Sequence, residues 1–351
     1  MEMAINLAKN GRGKVSPNPL VGCVLVKENE VIGEGWHDEF GGPHAEVQAV
    51  SNARVNPIDS TAYITLEPCC NDGKTPPCTK FLFENGIDKV VIGTMDPNPD
   101  VKGFGIKHLK SLGVQVQTGV LEEKAIALNP GYNKWIQTGK PYVIAKFAQS
   151  QDGYLGLDNK SRTKITSQYA DEEIHSLRAD VDAILVGRNT AEVDNPSLTV
   201  RHVSGVNPIR VVLDTHRTLP LTLDVFRDGK ADTLILCSEL NFKRHRTSYG
   251  TFIPVKEIGN RMLDPFSVLE VLGMEGITTL LIEGGTTVIE SFISQNLIDE
   301  FHIYTSTIRL ESGTLHSPEI DQHKWETTDI QTIGNDERKI LKRKTECLQE
   351  S

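Results

Sequence analysis

Hydrophobic residues in the first third of the chain recur either at helical spacing or in short unbroken runs, and the two patterns alternate. The alternation predicts helices that flank a sheet whose second half is parallel. The predicted helices cover 1–10, 44–53, 77–86 and 103–112, and the predicted strands cover 21–26, 31–35, 61–67, 89–94 and 114–117. A polar turn joins the first two strands. We therefore predict a layered α/β unit in this part of the chain.

A second α/β unit follows a change of pattern near residue 140. A predicted helix near 125–140 ends at Thr138-Gly139-Lys140-Pro141, where glycine and proline indicate a boundary. Beyond it, predicted strands cover 142–147, 182–187, 209–214, 232–237 and 278–283, and predicted helices cover 168–178 and 265–273. The charged, weakly patterned segment after about 325 indicates an edge strand with a frayed end. We divide the chain into 1–138, 141–325 and 326–351.

Composition restricts the classes of protein that remain. The 351 residues suffice for two domains with their own cores, and the 38% hydrophobic and 24% charged residues are ordinary for a globular protein. A net charge of −10 argues against non-specific nucleic-acid binding. There is no apolar run of about 18 residues and no signal-peptide core, so we expect no membrane partner. The six irregularly spaced cysteines favour reduced thiols over a disulfide framework, and we expect a cytoplasmic protein.

The candidate chemistry lies in His44-Ala45-Glu46, Pro68-Cys69 and Cys78. One imidazole and two thiolates can supply three ligands to zinc and leave the fourth position to water, as catalytic sites do. Glu46 is available to move protons between that water and a ring substrate. This order of residues is the signature of zinc deaminases that act on nucleobase-like rings. Cys70 could compete with Cys69, but the Pro-Cys step favours Cys69.

Two turns in the second unit are weaker candidates for phosphate binding. Gly284-Gly285 lies where a strand gives way to a helix, and free N–H groups there could receive a phosphate. A plain tight turn explains it equally well. Gly187–Thr190 follows another strand in the same way. The chain has no Gly-x-Gly-x-x-Gly fingerprint, so the residues alone leave open a nucleotide-binding unit and a purely structural one.

Longer strings carry a more specific resemblance. They are 16–22, 42–46, 67–69, 74–78 and 96–105 in the first half, and 146–153, 165–167, 177–187, 194–201 and 283–285 in the second. Over roughly residues 1–315 the chain resembles the bifunctional deaminase/reductases of riboflavin biosynthesis, the RibD or RibG type. The resemblance implies an N-terminal cytidine-deaminase-like α/β/α domain and a C-terminal dihydrofolate-reductase-like α/β domain.

The resemblance also implies two reactions. The first domain would deaminate 2,5-diamino-6-(5-phosphoribosylamino)pyrimidin-4(3H)-one, and the second would reduce the ribosyl group of 5-amino-6-(5-phosphoribosylamino)uracil to ribityl. The implied cofactors are Zn2+ and NADPH. We expect a small-molecule phosphoribosylaminopyrimidine as substrate, no nucleic-acid partner, and a homo-oligomer. Two alternatives stay open: a deaminase with a degenerate reductase domain, and a non-catalytic zinc-stabilised module that binds a pyrimidine nucleotide.

By the same resemblance, each group of site residues has an implied role. The implied zinc ligands are His44, Cys69 and Cys78, with Glu46 as the proton donor. The implied contacts of the deaminase substrate are Asn18, Asn71 and Lys74. The implied contacts of NADPH are Lys146, Thr190, Asp194, Thr215, Gly285, Thr286 and Thr287. The implied contacts of the reductase substrate are Arg162, Leu198, Arg201 and Glu283.

The chain departs from the family pattern inside two of these strings. Cys70-Asn71 stand where the family has Ser-His, so an amide that cannot carry charge replaces an imidazole. In the second domain, Arg162-Thr163-Lys164-Ile165-Thr166 replaces Ser-x-Trp-Ile-Thr. The tryptophan that would line the cofactor is therefore absent from this chain.

Overall fold

The computed structural model describes residues 1–70, 76–157, 163–244, 251–258 and 262–344. The chain divides into two compact units, Met1–Gly139 and Lys140–Ser351. Both combine helices with a sheet, which confirms the predicted α/β class. Among the described residues, no helix has the length and apolar character needed to span a bilayer. Three predicted site residues lie outside the described ranges: Asn71, Lys74 and Arg162.

A five-stranded sheet forms the centre of the first unit. Its strands are β1 (Gly22–Lys27), β2 (Glu30–Trp36), β3 (Ser60–Leu66), β4 (Ile87–Thr94) and β5 (Gln115–Gln117). Its helices are α1 (Glu2–Ala8), α2 (Ala45–Ser51), α3 (Cys78–Glu84), α4 (Phe104–Ser111), α5 (Glu122–Ala127) and α6 (Pro130–Thr138), with a 3-10 turn at Lys9–Gly11. The strand order is β2-β1-β3-β4-β5. Strands β3, β4 and β5 are parallel, as the alternating pattern predicts.

The single helix predicted near 125–140 is wrong, because the structure has two helices there. Pro130 begins α6, and a proline in a helix interior would remove a hydrogen bond and clash with the preceding turn. The side chain of Asn129 holds the break in place. Its Oδ1 accepts from the backbone N of Leu20 at 2.7 Å, and its Nδ2 donates to the carbonyl O of Leu20 at 2.9 Å. Asn129, between α5 and α6, therefore joins these two helices by hydrogen bonds to the segment just before β1.

The second unit is built on a nine-stranded sheet, and two further pairs of strands lie outside that sheet. The strands are β6 (Tyr142–Gln149), β7 (Tyr154–Gly156), β8 (Ala183–Gly187), β9 (Ile209–Leu213), β10 (Thr233–Ser238), β11 (Thr251–Val255), β12 (Glu257–Ile258), β13 (Met262–Leu263), β14 (Thr279–Glu283), β15 (Glu300–Thr305), β16 (Leu315–His316), β17 (Trp325–Ile333) and β18 (Asp336–Arg343). The helices are α7 (Gln168–Ala179), α8 (Arg188–Asp194), α9 (Asp224–Arg227), α10 (Glu239–Arg244), α11 (Pro265–Met274) and α12 (Thr286–Ser294). The large sheet has the order β11-β10-β9-β8-β14-β6-β15-β18-β17, and β7-β16 and β12-β13 are separate pairs.

Strand β14 lies near the middle of the large sheet, parallel to both of its neighbours. Leu280 and Ile282 belong to a core cluster on one face of the sheet, and Leu281 belongs to a cluster on the other. Burial on both faces explains the unbroken apolar run in this strand. It also fixes the position of Glu283, which ends the strand.

The segment after residue 325 was predicted as one edge strand, and the structure has a hairpin instead. Gly334 makes the turn between β17 and β18 with φ +62°, a value that glycine adopts without strain. Strand β18 pairs with β15 and is therefore interior to the sheet, while β17 forms its edge. Most of β17 is exposed, so its residues lack the apolar alternation that marks a half-buried strand.

Candidate active sites

His44, Cys69 and Cys78 converge from three separate places in the first unit. His44 immediately precedes α2, Cys69 follows β3, and Cys78 begins α3. Their ligand atoms all lie within 4.8 Å of one another. Nδ1 of His44 is 3.2 Å from Sγ of Cys78 and 3.7 Å from Sγ of Cys69. Three separate elements thus bring one imidazole and two thiols to a single point.

A hydrogen bond between the two thiols shifts their pKa values in opposite directions. The backbone N–H of Cys78 donates to Sγ of Cys69 at 3.3 Å, which favours a thiolate at Cys69. A hydrogen bond from the Cys78 thiol is the main reason that the pKa of Cys69 is lowered to about 4. The same bond, together with burial, raises the pKa of Cys78. The pair therefore favours a thiolate at Cys69 before any metal binds. The proton on Cys78 must leave when both sulfurs bind a metal.

Glu46 lies beside this cluster, and its carboxyl group hydrogen-bonds with the thiol of Cys78. It occupies the first turn of α2 and is only 3% exposed. Burial, more than any other cause, raises the pKa of its carboxyl group above the ordinary value. A buried carboxyl group with a raised pKa keeps its proton more readily than an exposed one, and a general acid–base residue must both take up and release a proton.

His37, which was not singled out from the sequence, connects Asn18 to the cluster. Nδ1 of His37 is 3.1 Å from the carbonyl O of Pro43, so Nδ1 must carry the proton. Nε2 therefore accepts from Nδ2 of Asn18 at 3.1 Å. Burial lowers the pKa of His37, in keeping with a neutral ring. The centroid of its ring lies 5.6 Å from that of His44. A lone histidine at the end of a strand carries little signal in a sequence.

Glu67 explains why the string around 96–105 belongs with the cysteine motif. Its Oε2 accepts from the backbone N of Asp96 and of Gly103 at 3.2 Å and 2.9 Å. Its Oε1 accepts from the backbone N of Ile106 at 3.1 Å. A Cβ atom at Gly105 would lie 2.2 Å from the carbonyl O of Pro68, so only glycine fits there. The two strings are therefore parts of one hydrogen-bonded unit next to Cys69.

A second cluster lies at the end of β14, in the other unit. Both carboxylate oxygens of Glu283 accept from Arg178, each at 2.8 Å, and Nζ of Lys146 lies 3.7 Å from Oε2. Lys146 is the direct partner of Glu283 in the pairing of β6 with β14. Burial opposes the charge on Glu283, but Arg178 and Lys146 outweigh it and lower the pKa of Glu283 to about 2. Burial also lowers the pKa of Lys146.

A cavity of about 540 Å³ opens at this ion pair. Its lining includes eight of the residues predicted from the sequence: Lys146, Thr190, Asp194, Leu198, Glu283, Gly285, Thr286 and Thr287. The lining does not include Thr215 or Arg201. Thr215 follows β9, where its carbonyl accepts from the backbone N of Ser238 at 3.1 Å.

The two candidate phosphate turns meet at the same cavity. Gly284 and Gly285 have φ of +84° and +78°, and they precede α12. A Cβ atom on either glycine would lie 3.3 Å from the side chain of Thr190, which belongs to the other turn. Both turns follow the carboxyl ends of adjacent parallel strands, β8 and β14. Ligands collect at this edge of open α/β sheets.

Comparisons with known proteins match each of the two units to a family model. Residues 1–94 match the cytidine and deoxycytidylate deaminase zinc-binding region, and residues 141–337 match the RibD C-terminal domain. The riboflavin biosynthesis protein RibD of Bacillus amyloliquefaciens is 40% identical over 319 residues, which is 90% of this chain and 85% of that protein. The chain belongs to the RibD family.

Solved structures of the RibD family have the same overall architecture. A diaminohydroxyphosphoribosylaminopyrimidine deaminase/5-amino-6-(5-phosphoribosylamino)uracil reductase from Thermotoga maritima is 32% identical, with a TM-score of 0.85 that covers 98% of this chain and 97% of that one. The RibD of Acinetobacter baumannii is 32% identical, with a TM-score of 0.86 over 98% of both chains. Membership confirms the predicted pairing of a deaminase domain with a reductase domain in riboflavin biosynthesis. Neither the degenerate reductase nor the non-catalytic module is favoured.

Proposed function

We propose that residues 1–138 deaminate 2,5-diamino-6-(5-phosphoribosylamino)pyrimidin-4(3H)-one and that residues 141–325 reduce the resulting ribosylaminouracil with NADPH. We assign residues 326–351 to a C-terminal edge segment and tail, of which the structure describes 326–344. The observation that carries the proposal is the convergence of His44, Cys69 and Cys78 within 4.8 Å, with the buried Glu46 beside them. A site that only stabilised the fold would have no use for a buried carboxyl group that is not a ligand.

The donor set of the first cluster fits Zn2+. One imidazole and two thiolates are ligands that zinc prefers, and three protein ligands leave a coordination position for water. Zinc bound there supplies a water whose pKa is lowered to near neutrality. The carboxylate of Glu46 would take one proton from the attacking water and pass it to the ring nitrogen. It would then take the remaining hydroxyl proton and pass it to the departing amine, as the C–N bond breaks and ammonia leaves. Glu46 thus ends the reaction in the state in which it began.

Asn18, Asn71 and Lys74 are proposed to hold the pyrimidine substrate. His37 accepts from Nδ2 of Asn18, which fixes the orientation of the Asn18 amide. An amide in a fixed orientation can distinguish donors from acceptors on a pyrimidine ring. The ammonium group of Lys74 suits the ribose phosphate because the two charges are opposite.

The second cavity is proposed to hold NADPH and the reductase substrate. Lys146, Thr190, Asp194, Thr215, Gly285, Thr286 and Thr287 are the proposed contacts of NADPH. Arg162, Leu198, Arg201 and Glu283 are the proposed contacts of the substrate. NADPH supplies the hydride that is added to ribose C1′. The ring oxygen of the ribose needs a proton as the sugar opens, and the buried ammonium of Lys146 can donate it because burial lowers its pKa.

Localisation and assembly belong to the same proposal. Cysteine thiols stay reduced in a reducing compartment, which supports the cytoplasm. The net charge of −10 disfavours a nucleic-acid substrate. We also propose a homo-oligomer that is not attached to a membrane.

Removal of zinc tests whether the two reactions use separate sites. A chelator should lower ammonia release by at least ~100-fold, because the water loses its activating ligand. Oxidation of NADPH should continue when the same preparation is given the deaminated ribosylaminouracil. Added zinc should restore ammonia release. Ammonia release that survives confirmed loss of the metal would contradict the deaminase proposal, and an absence of NADPH oxidation in the untreated protein would contradict the reductase proposal.

A further inference from the structure

The segment Asn195–Arg201 reaches the second cavity in a strained conformation. Leu198 lines the cavity, is only 2% exposed and has φ of +50°. Asn195 also has a positive φ, of +39°. A left-handed conformation is unfavourable for a residue such as leucine, and it persists only where surrounding contacts hold it.

Helix α7 supplies two of these contacts. The guanidinium of Arg178 donates to the carbonyl O of Thr199 at 3.2 Å. Nδ1 of His175 accepts from the backbone N–H of Arg201 at 3.1 Å. His175 and Arg178 are three residues apart in α7, so they share one face of the helix. Together they hold the peptide groups on both sides of Val200.

The hydrogen bond with Arg201 defines the state of the His175 ring. A backbone N–H can only donate, so Nδ1 carries no proton and Nε2 does. Burial of the ring, helped by the nearby charges of Arg178 and Arg201, lowers the pKa of His175 to about 4, although Glu283 of β14 opposes this. The ring of His202 packs edge-on against it, with 4.6 Å between the centroids. At neutral pH the imidazole of His175 is therefore uncharged, and its Nδ1 can accept the hydrogen bond from the N–H of Arg201.

We propose that His175 is a positioning residue of the reductase reaction, which holds the backbone of Arg201 and thereby the segment whose Leu198 lines the cavity. This rests on the proposed reductase function. The contacts of His175 are on the Leu198–Arg201 side, whereas the Gly284-Gly285 turn packs against Thr190. Loss of the acceptor should therefore weaken binding of the ribosylaminouracil and leave binding of NADPH unchanged.

Two substitutions of His175 separate the hydrogen bond from the packing of the ring. His175→Phe keeps a flat ring and removes the acceptor, so the KM for the ribosylaminouracil should rise ~10-fold, as expected when a partly buried N–H loses its partner. In His175→Asn the amide Oδ1 lies close to the position of Nδ1, and the KM should stay within ~3-fold of wild type. For both variants, kcat and the KM for NADPH should change by less than ~3-fold.

Ammonia release in the same preparations is the internal control, because His175 belongs to the other unit. Equal KM values for His175→Phe and the wild type would overturn the proposal, and so would equal increases in both variants. If the wild type fails to oxidise NADPH, the reductase function itself is wrong, and that outcome is distinct from these two. Amide hydrogen exchange in the wild type gives a second test that needs no substitution. The N–H of Arg201 should exchange slowly, and exchange as fast as in an open loop would also overturn the proposal.

Discussion

Replacement of Glu46 by glutamine should lower kcat for ammonia release by ~10³-fold, the range expected when a general acid–base residue is lost. Glutamine has almost the same shape but cannot take up or release the proton. The substitution should leave the metal in place, because Glu46 lies outside the three ligands that converge within 4.8 Å. Ammonia assays combined with metal analysis of the same protein measure both quantities.

Glu84→Gln is a matched control for this substitution. Glu84 ends α3, the helix that Cys78 begins, and its side chain is 55% exposed. Its replacement should leave both ammonia release and zinc content unchanged. A Glu46→Gln protein that deaminates at the full rate would contradict the role given to Glu46. Loss of zinc together with activity would instead make Glu46 a ligand or a structural support.

Lys146→Met should abolish the second reaction and leave the first intact. The substitution removes the proposed proton donor, and NADPH oxidation at saturating ribosylaminouracil should fall by ~10³-fold. The fold should survive, because Arg178 still neutralises Glu283 through two hydrogen bonds of 2.8 Å. Stopped-flow or steady-state absorbance of NADPH measures the rate.

The exposed Lys230 offers the matched control for Lys146. Lys230→Met removes a charge of the same kind at the surface of the second unit, and it should leave NADPH oxidation unchanged. Ammonia release should be the same in both variants and in the wild type. NADPH oxidation by Lys146→Met at more than about a tenth of the wild-type rate would rule out Lys146 as the proton donor.

The zinc cluster was the most predictable part of the molecule. Its ligands lie in short strings with flanking prolines, and the strand before Cys69 is marked by β-branched residues. The residues of these short strings therefore indicate most of the arrangement of the three zinc ligands. The contact between His37 and Asn18 was not predictable in this way, because it depends on how two loops fold against each other.

The second cluster depends on pairing over a long range. Glu283 meets Lys146 because β6 and β14 are neighbours in register, and no local pattern encodes that pairing. Strand β15 was missed for a related reason. Two of its buried residues are Glu300 and His302, which bond to each other at 2.6 Å, and their polarity hides the strand in a hydrophobicity pattern. The break at Pro130 did have a local signal, which the helical periodicity on both sides concealed.

Conversion of the diaminopyrimidine substrate by the purified chain, with zinc and NADPH present, tests the two-step activity most directly when the product is identified by mass spectrometry. The predicted product has an oxygen in place of the 2-amino nitrogen and a ribityl group in place of the ribosyl group. Ammonia and oxidised cofactor should form in equal amounts. A product that stops at the ribosylaminouracil, with NADPH unconsumed, would contradict a bifunctional enzyme.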